Sequence, residues 1–267
     1  MADGDAKEKS TPEARAPANA SSRPPRPMPR PLNLPILKHL RSKRVILASA
    51  SPRRRALLAQ VGLTNLEIIP STKPEDADKS AGPHAYVSAT ANQKVLDVYQ
   101  SLVAAQDADS RLPDPALVIS ADTIVVSRDG RILEKPRSRA DHVRTLRHLR
   151  DTRVHTVMTS VCVLAPREDA RFPGYDLQTH TEETKVYFAA EEDGLPDDVI
   201  EAYVDTGEGA DKAGGYALQG VGGMVLVERV DGSVDNVVGL PVRRCLALAE
   251  KVVFRQDEEE GEESAEE

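Results

Sequence analysis

The run Leu117-Val-Ile-Ser-Ala-Asp-Thr-Ile-Val-Val126 constrains the fold more than any other segment of the chain. Continuous apolar and β-branched character of this length reads as a buried strand, which needs other layers to cover it. Asp122 interrupts the run. An unpaired carboxylate there would cost several kcal/mol, so a cation, a metal or hydrogen-bond donors must stand nearby. Asp129-Gly130 is a hairpin signal ahead of Arg131-Ile-Leu-Glu-Lys135. With the turn at that point, residues whose numbers sum to about 259 face each other, which brings Lys135 close to Ile124 and diagonally near Asp122. Lys135 is therefore the expected partner of Asp122. The pair reads either as a structural ion pair at a strand end or as a catalytic or metal-binding carboxylate with its cation.

Strand-like and helix-like segments mix along the rest of the chain, as in an α/β or α+β domain. Val45-Ile-Leu-Ala48 is a short strand running into Ser51-Pro52, where Ser caps a helix, Pro suits its first position and Gly62 ends it. Ser138 caps a further helix carrying Val143, Leu146 and Leu149 at helical spacing. Residues 154–164 and 184–188 read as strands, and Leu195-Pro196 opens a helix toward Tyr203. The glycine-rich stretch 207–223 precedes a strand expected from Met224. A last helix runs from near Pro241 to about Phe254.

Residues 1–40 hold 7 bases and 4 acids and include Arg23-Pro-Pro-Arg-Pro-Met-Pro-Arg-Pro31. This composition predicts a disordered or polyproline arm, a possible ligand for a proline-recognising partner. Residues 256–267 carry 8 acids and no base, an acidic tail. Between them, 41–255 is nearly neutral at a net −3 and forms the expected folded domain. That balance gives no support to nucleic-acid binding, and with no Trp and only 3 Phe and 6 Tyr, platforms for stacking bases are scarce. Cys162 and Cys245 lie in apolar stretches outside any C-x-x-C pair, which fits a reducing compartment. No apolar run approaches the roughly 18 residues of a membrane span, so a soluble, cytoplasmic protein is expected.

Three arginines, Arg53, Arg54 and Arg55, crowd the first turn of the helix after Ser51 and oppose its dipole. An anion would resolve the conflict: Ser49 and Ser51, free backbone N–H groups and arginine forks resemble a phosphate cradle. A solvated basic turn is the other reading. Glu75, in the polar loop after Leu66-Glu-Ile-Ile69, reads as a solvated charge. Asp211-Lys-Ala-Gly-Gly-Tyr-Ala-Leu-Gln-Gly220 matches neither a P-loop nor a dinucleotide fingerprint, and reads either as a glycine-rich turn or as backbone shaped for close approach to a ligand. No histidine shows metal-ligand spacing.

Taken in order, Leu47-Ala-Ser-Ala-Ser-Pro-Arg-Arg54, Ala121-Asp-Thr-Ile-Val125, Glu134-Lys-Pro136, Gly207-Glu208, Asp211-Lys-Ala-Gly-Gly-Tyr216, Gln219-Gly220 and Val238-Gly-Leu-Pro241 resemble the Maf family of nucleoside triphosphate pyrophosphatases. The resemblance runs from about Arg44 to Phe254. It implies a Maf/Ham1-type (ITPase-like) α/β fold: an elongated mixed sheet flanked by helices, two lobes around a cleft, and a homodimer. The implied reaction is hydrolysis of a nucleotide to its monophosphate and pyrophosphate with a divalent metal, Mg or Mn. By matching position, Asp122 is the implied proton acceptor, Ser49, Ser51, Arg53, Arg54, Lys94 and Lys135 the phosphate ligands, and Glu75 with Asp122 the metal ligands. Ala-Asp-Thr at 121–123 together with Gln219 is similar to the branch acting on dTTP and UTP, with Arg53, Thr123 and Gln219 setting base preference. A specificity for 7-methyl-GTP, ITP or XTP, and a non-catalytic nucleotide-binding or scaffold role, are the alternatives.

Overall fold

A computed structural model describes residues 32–108, 113–167 and 173–254. The Pro/Arg motif 23–31 and the acidic tail 256–267 lie outside these residues.

The apolar run forms β3 (Leu117–Val126), as its composition predicts. Along one edge it pairs antiparallel with β5 (Val154–Pro166), which pairs with β6 (Tyr175–Phe188), which pairs with β7 (Val227–Asp231). On its other edge, β1 (Val45–Leu47) pairs parallel with residues 117–119, and β2 (Leu66–Ile68) pairs parallel with β1. Further along that edge, β4 (Ile132–Leu133) pairs with residues 125–126. The sheet is thus mixed, in the order β2-β1-β3-β5-β6-β7. Residues 120–124 of β3 have a strand on one side only, which leaves an opening between β1 and β4 at Asp122 and Thr123.

Alternate side chains of a strand point to opposite faces. On one face of β3, Val118, Ile124 and Val126 pack against the 26-residue α3 (Pro83–Ala108) through Val87, Ala91 and Val95. On the other face, Leu117, Ile119 and Ala121 join a core with α1 (Pro35–Leu40), α2 (Pro52–Gln60) and α8 (Val242–Phe254). Val125 belongs to a second core with α4 (Arg139–Thr152) and α5 (Asp197–Asp205). The break between the two cores falls at Thr123, and there the two lobes part.

Several expectations need correction. Residues 35–40, expected within the arm, form α1, because Ile36, Leu37 and Leu40 share one side of that helix and are buried against the first core. The hairpin at Asp129-Gly130 forms, but its register pairs Val125 with Leu133 and ends there, so Lys135 does not sit across from Ile124. Met224 ends up in α6 (Val221–Val225), not in a strand. The Glu208 carboxylate accepts the N–H groups of Val221 (3.0 Å) and Gly222 (2.8 Å), which stabilises a helical turn there, and β7 begins only at Val227. Residues 175–183 extend the expected strand 184–188 into the long β6.

The burial of α1 has a measurable consequence. Leu37→Ala is expected to lower unfolding stability by about 2–5 kcal/mol in urea titration, the usual range for a buried leucine. A change below about 0.5 kcal/mol, typical of an exposed site, would return residues 35–40 to the arm.

Candidate active site

The opening in the sheet is the floor of a cleft of about 520 Å3, a volume suited to a small-molecule ligand. Ser49, Ser51, Arg53, Arg54, Glu75, Lys94, Asp122, Thr123, Lys135 and Gln219 all line it, so the site residues picked from the sequence come together in one place. Arg55, from the same basic turn, does not.

On the α3 side of the sheet, Lys94 Nζ stands 2.7 Å from Asp122 Oδ1 and 2.7 Å from Glu75 Oε1. The cation on Asp122 is therefore Lys94, not Lys135 as the hairpin register suggested. α3 carries its ammonium directly beneath the open edge of β3, whereas β4 stops pairing before it reaches Lys135. Burial pushes the Glu75 carboxyl up, but the Lys94 hydrogen bond and the charges of Lys94, Lys135 and Arg54 outweigh it and hold the group below the usual range. Glu75 is thus more than a solvated charge.

On the opposite face, α2 begins at the end of β1. Ser51 Oγ accepts the Arg54 N–H at 3.4 Å, the expected cap. The Arg54 side chain turns back under the helix, where Nε donates to Gly239 O (2.8 Å), Nη1 to Ser49 Oγ (2.9 Å) and Nη2 to Thr123 Oγ1 (3.0 Å). Burial pulls the Arg54 pKa down from its ordinary value, with the charges of Asp122 and Glu75 working against the shift. A guanidinium has five N–H donors, so after these three bonds two are left for a ligand.

A directional chain of hydroxyls continues from Arg54. Thr159 Oγ1 donates to Asn236 O at 2.9 Å, which commits its one proton. Thr123 Oγ1, 3.0 Å away, must therefore donate to Thr159. Having given its proton to Thr159 and accepted one from Arg54, Thr123 can offer the cleft only an acceptor lone pair. Among the described residues, Arg53, Lys135 and the Gln219 amide have no hydrogen-bond or ion-pair partner, so the cleft presents free donors as well.

The wall carrying Gln219 is built by glycines and Glu208. A Cβ on Gly209 would lie 1.9 Å from Gly215 O, and one on Gly220 would lie 2.1 Å from Glu208 Oε1. This segment closes on itself only because those side chains are absent. His142 Nε2 donates to Gly215 O at 2.5 Å, and His155 Nε2 lies 2.7 Å from the Tyr216 hydroxyl. Neither histidine stands out in the sequence, since His155 in β5 and His142 in α4 carry no motif. Lys73, Ser71, Asp211 and Lys212 also line the cleft without having been chosen as site residues. The thiols of Cys162 and Cys245 are both pushed up to about 12 by burial and take no part in it.

Against known proteins, the family described as Maf-like protein matches residues 44–252. The chain belongs to the Maf family. It is 43% identical to the dTTP/UTP pyrophosphatase of Schizosaccharomyces pombe over 82% of this chain and 88% of that one. It is 44% identical to the dTTP/UTP pyrophosphatase of Anaeromyxobacter dehalogenans, covering 79% of this chain and 95% of the relative. A human protein named probable bifunctional dTTP/UTP pyrophosphatase/methyltransferase is 42% identical over 78% of this chain but only 32% of its own length. Among solved structures, a nucleoside-triphosphatase/dITP/XTP pyrophosphatase from Mycobacterium abscessus aligns with TM-score 0.31 and 12% identity, over 55% of this chain and 73% of that one, a slight likeness.

His155 provides a test of how tightly this Maf cleft is packed behind Tyr216. Burial pushes its imidazole down to about 3 from an ordinary value of 6.5. Between those two values the unfolded state binds the extra proton, so this group's contribution makes stability fall as pH falls, by about 1.4 kcal/mol per pH unit. In an NMR titration the His155 ring is expected to stay neutral at pH 5. A midpoint near 6.5 would contradict its burial.

Proposed function

We propose that the cleft binds UTP or dTTP and hydrolyses it to the nucleoside monophosphate and pyrophosphate, by attack of water on the α-phosphorus with Asp122 as the base. The observation that carries this reading is the two-part construction of the cleft at the opening in β3. Charged groups, Asp122 with Lys94 and Glu75 from the α3 side and the arginines of α2 from the other, line one part of the cleft, and an apolar pocket of Val125, Val157 and Tyr216 tipped by Thr123 and Gln219 lines another. A nucleotide has that same division between charged tail and flat base. The names of the relatives support the same substrates.

Arg53, Lys135 and the spare N–H groups of Arg54, with Ser49 and Ser51 at the N-terminus of α2, offset the triphosphate charge. Asp122 accepts the proton as the water oxygen bonds to phosphorus, and the bond from phosphorus to the bridging oxygen breaks to release pyrophosphate. Lys94, 2.7 Å from Asp122 Oδ1, compensates the buried carboxylate and fixes its orientation.

The donor set also fits a divalent cation, Mg or Mn. Two hard carboxylates, Asp122 and Glu75, already share one positive charge, and among the described residues there is no cluster of three acidic, His or Cys ligands to form a complete cage. A cation held by one or two carboxylates and completed by substrate phosphates is the usual arrangement for magnesium. Bound there, it would supply polarisation of the phosphoryl oxygens and charge neutralisation.

The polarity of Thr123 favours uracil and thymine. Their ring N3–H is a donor that meets the Thr123 lone pair, whereas cytosine presents an acceptor at that position. Gln219, able both to donate and to accept, can read the neighbouring carbonyl. No described helix is long and apolar enough to cross a membrane.

With Mg2+ or Mn2+ and a panel of UTP, dTTP, CTP, ITP and 7-methyl-GTP, pyrophosphate release is expected from UTP and dTTP, with CTP slower by about 10- to 100-fold for one mismatched buried hydrogen bond. Turnover of 7-methyl-GTP or ITP alone would overturn the assignment of Thr123 and Gln219. Asp122→Asn, checked for folding by circular dichroism, is expected to lose about 10²–10⁴-fold in turnover, the range for a general base. Wild-type turnover in that variant would remove Asp122 from the chemistry.

A further inference from the structure

Asp97 is a buried carboxylate, 7% exposed, with no part in the chemistry above. It lies on α3 three residues after Lys94, so the two side chains project from neighbouring positions on one side of the helix. Its bonds run to the loop between β2 and α3. Oδ2 accepts from Ser71 Oγ at 2.7 Å and from the Thr72 N–H at 3.1 Å, and Oδ1 stands 3.3 Å from Lys73 Nζ. These donors, Ser71 foremost, hold its carboxyl below the usual range.

That loop matters because it carries Glu75 and the cleft-lining Ser71 and Lys73 while having no regular secondary structure from residue 70 to 78. Among the described residues, the polar contacts that residues 71–76 make outside the loop all land on α3. Gln93 Nε2 reaches Asp76 at 3.5 Å, Lys94 holds Glu75, and Asp97 holds residues 71–73. The Lys94 contact is the one that a bound cation or phosphate would compete for, since it rests on the charge of the ammonium at the reaction centre. The Gln93 contact is long. Of the three contacts, that of Asp97 combines short bonds with groups other than Lys94 and Asp122.

We propose that Asp97 is a positioning residue that fixes the loop of residues 71–76 against α3 and thereby keeps Glu75 at the mouth of the cleft, within reach of a bound cation, when Lys94 is drawn toward substrate. This role rests on the pyrophosphatase reading for its kinetic consequence, but not for its structural one. Asp97 touches neither substrate nor reacting atoms. Its effect should fall on how much metal the enzyme needs and not on the chemical step.

The test compares Asp97→Ala and Asp97→Asn with the wild-type chain. In hydrogen exchange on the nucleotide-free protein, Asp97→Ala is expected to speed exchange in residues 70–78 by about 10- to 100-fold, the loss of hydrogen bonds to a charged group, with β3 and α3 unchanged. With UTP, the Mn2+ concentration for half-maximal turnover should rise about tenfold while kcat at saturating Mn2+ stays within about threefold, a split between cation capture and chemistry. Asp97→Asn keeps an oxygen for Ser71 and Thr72 and should recover most of both effects. Unchanged loop exchange in Asp97→Ala would overturn the proposal, as would a uniform rise in exchange across α3 with metal dependence unaltered. If the wild-type chain hydrolyses no nucleotide, the functional reading fails, while the exchange comparison still decides the tether.

Discussion

The ammonium of Lys94 stands 2.7 Å from a carboxylate oxygen of Asp122 and 2.7 Å from one of Glu75, and the electrostatics of the cleft follow from that contact. Asp122 lies in a strand whose neighbours are almost all apolar, where an uncompensated charge would be costly to bury. α3 brings the compensating charge from below. Because the ammonium is shared with Glu75, a group from an irregular loop is drawn to the same point, and two carboxylates that would otherwise repel each other converge. The two carboxylates share one ammonium, and the charges of Lys135 and Arg54 act on Glu75 from farther off.

The place where this happens is set by the sheet. β1 covers only the first residues of β3, and β4 only the last, so the strand is left open at Asp122 and Thr123. Successive residues of a strand face opposite ways, so the opening exposes a carboxylate to one side and a hydroxyl to the other. Arg54 ties the second side together by bonding Gly239, Ser49 and Thr123 from three separate segments. A single basic side chain in the first turn of α2 thus joins the end of β1, the middle of β3 and the turn after α7 (Val234–Val238). The conflict between a cluster of arginines and the helix dipole is relieved in part by folding one arginine inward, while Arg53 lines the cleft.

Much of this was legible in the sequence, and the failures are informative. β3 was read to its exact ends because its apolar run is long and bounded by turns, and α2 and α4 were located by Ser51 and Ser138, whose side chains do cap them. α3 was not read, although Gly82-Pro83 marks its start and Val87, Ala91, Val95 and Val98 recur on its buried side. Small residues such as Ala91 make that stripe shallow, and polar residues surround it. Missing α3 hid the geometry of Lys94, whose segment Thr90-Ala-Asn-Gln-Lys-Val95 resembles the family pattern only loosely and whose contact with Asp122 depends on where the helix crosses the sheet. The partner of Asp122 was sought along the hairpin instead, the only local route to a lysine. Family resemblance supplied the set of site residues. It could not supply which cation meets which carboxylate, the inward fold of Arg54 or the direction of the Thr123 hydrogen bond, since each depends on atoms brought together from distant parts of the chain.

The central claim is that water activated at Asp122 attacks the α-phosphorus. Hydrolysis of UTP in water enriched with oxygen-18, followed by mass spectrometry of both products, tests it most directly. The account predicts one heavy oxygen in UMP and none in pyrophosphate, since the new bond forms to the phosphorus retained by the nucleoside. Heavy oxygen in the pyrophosphate, or release of UDP and labelled phosphate, would place the attack at another phosphorus and contradict the assignment of the cleft.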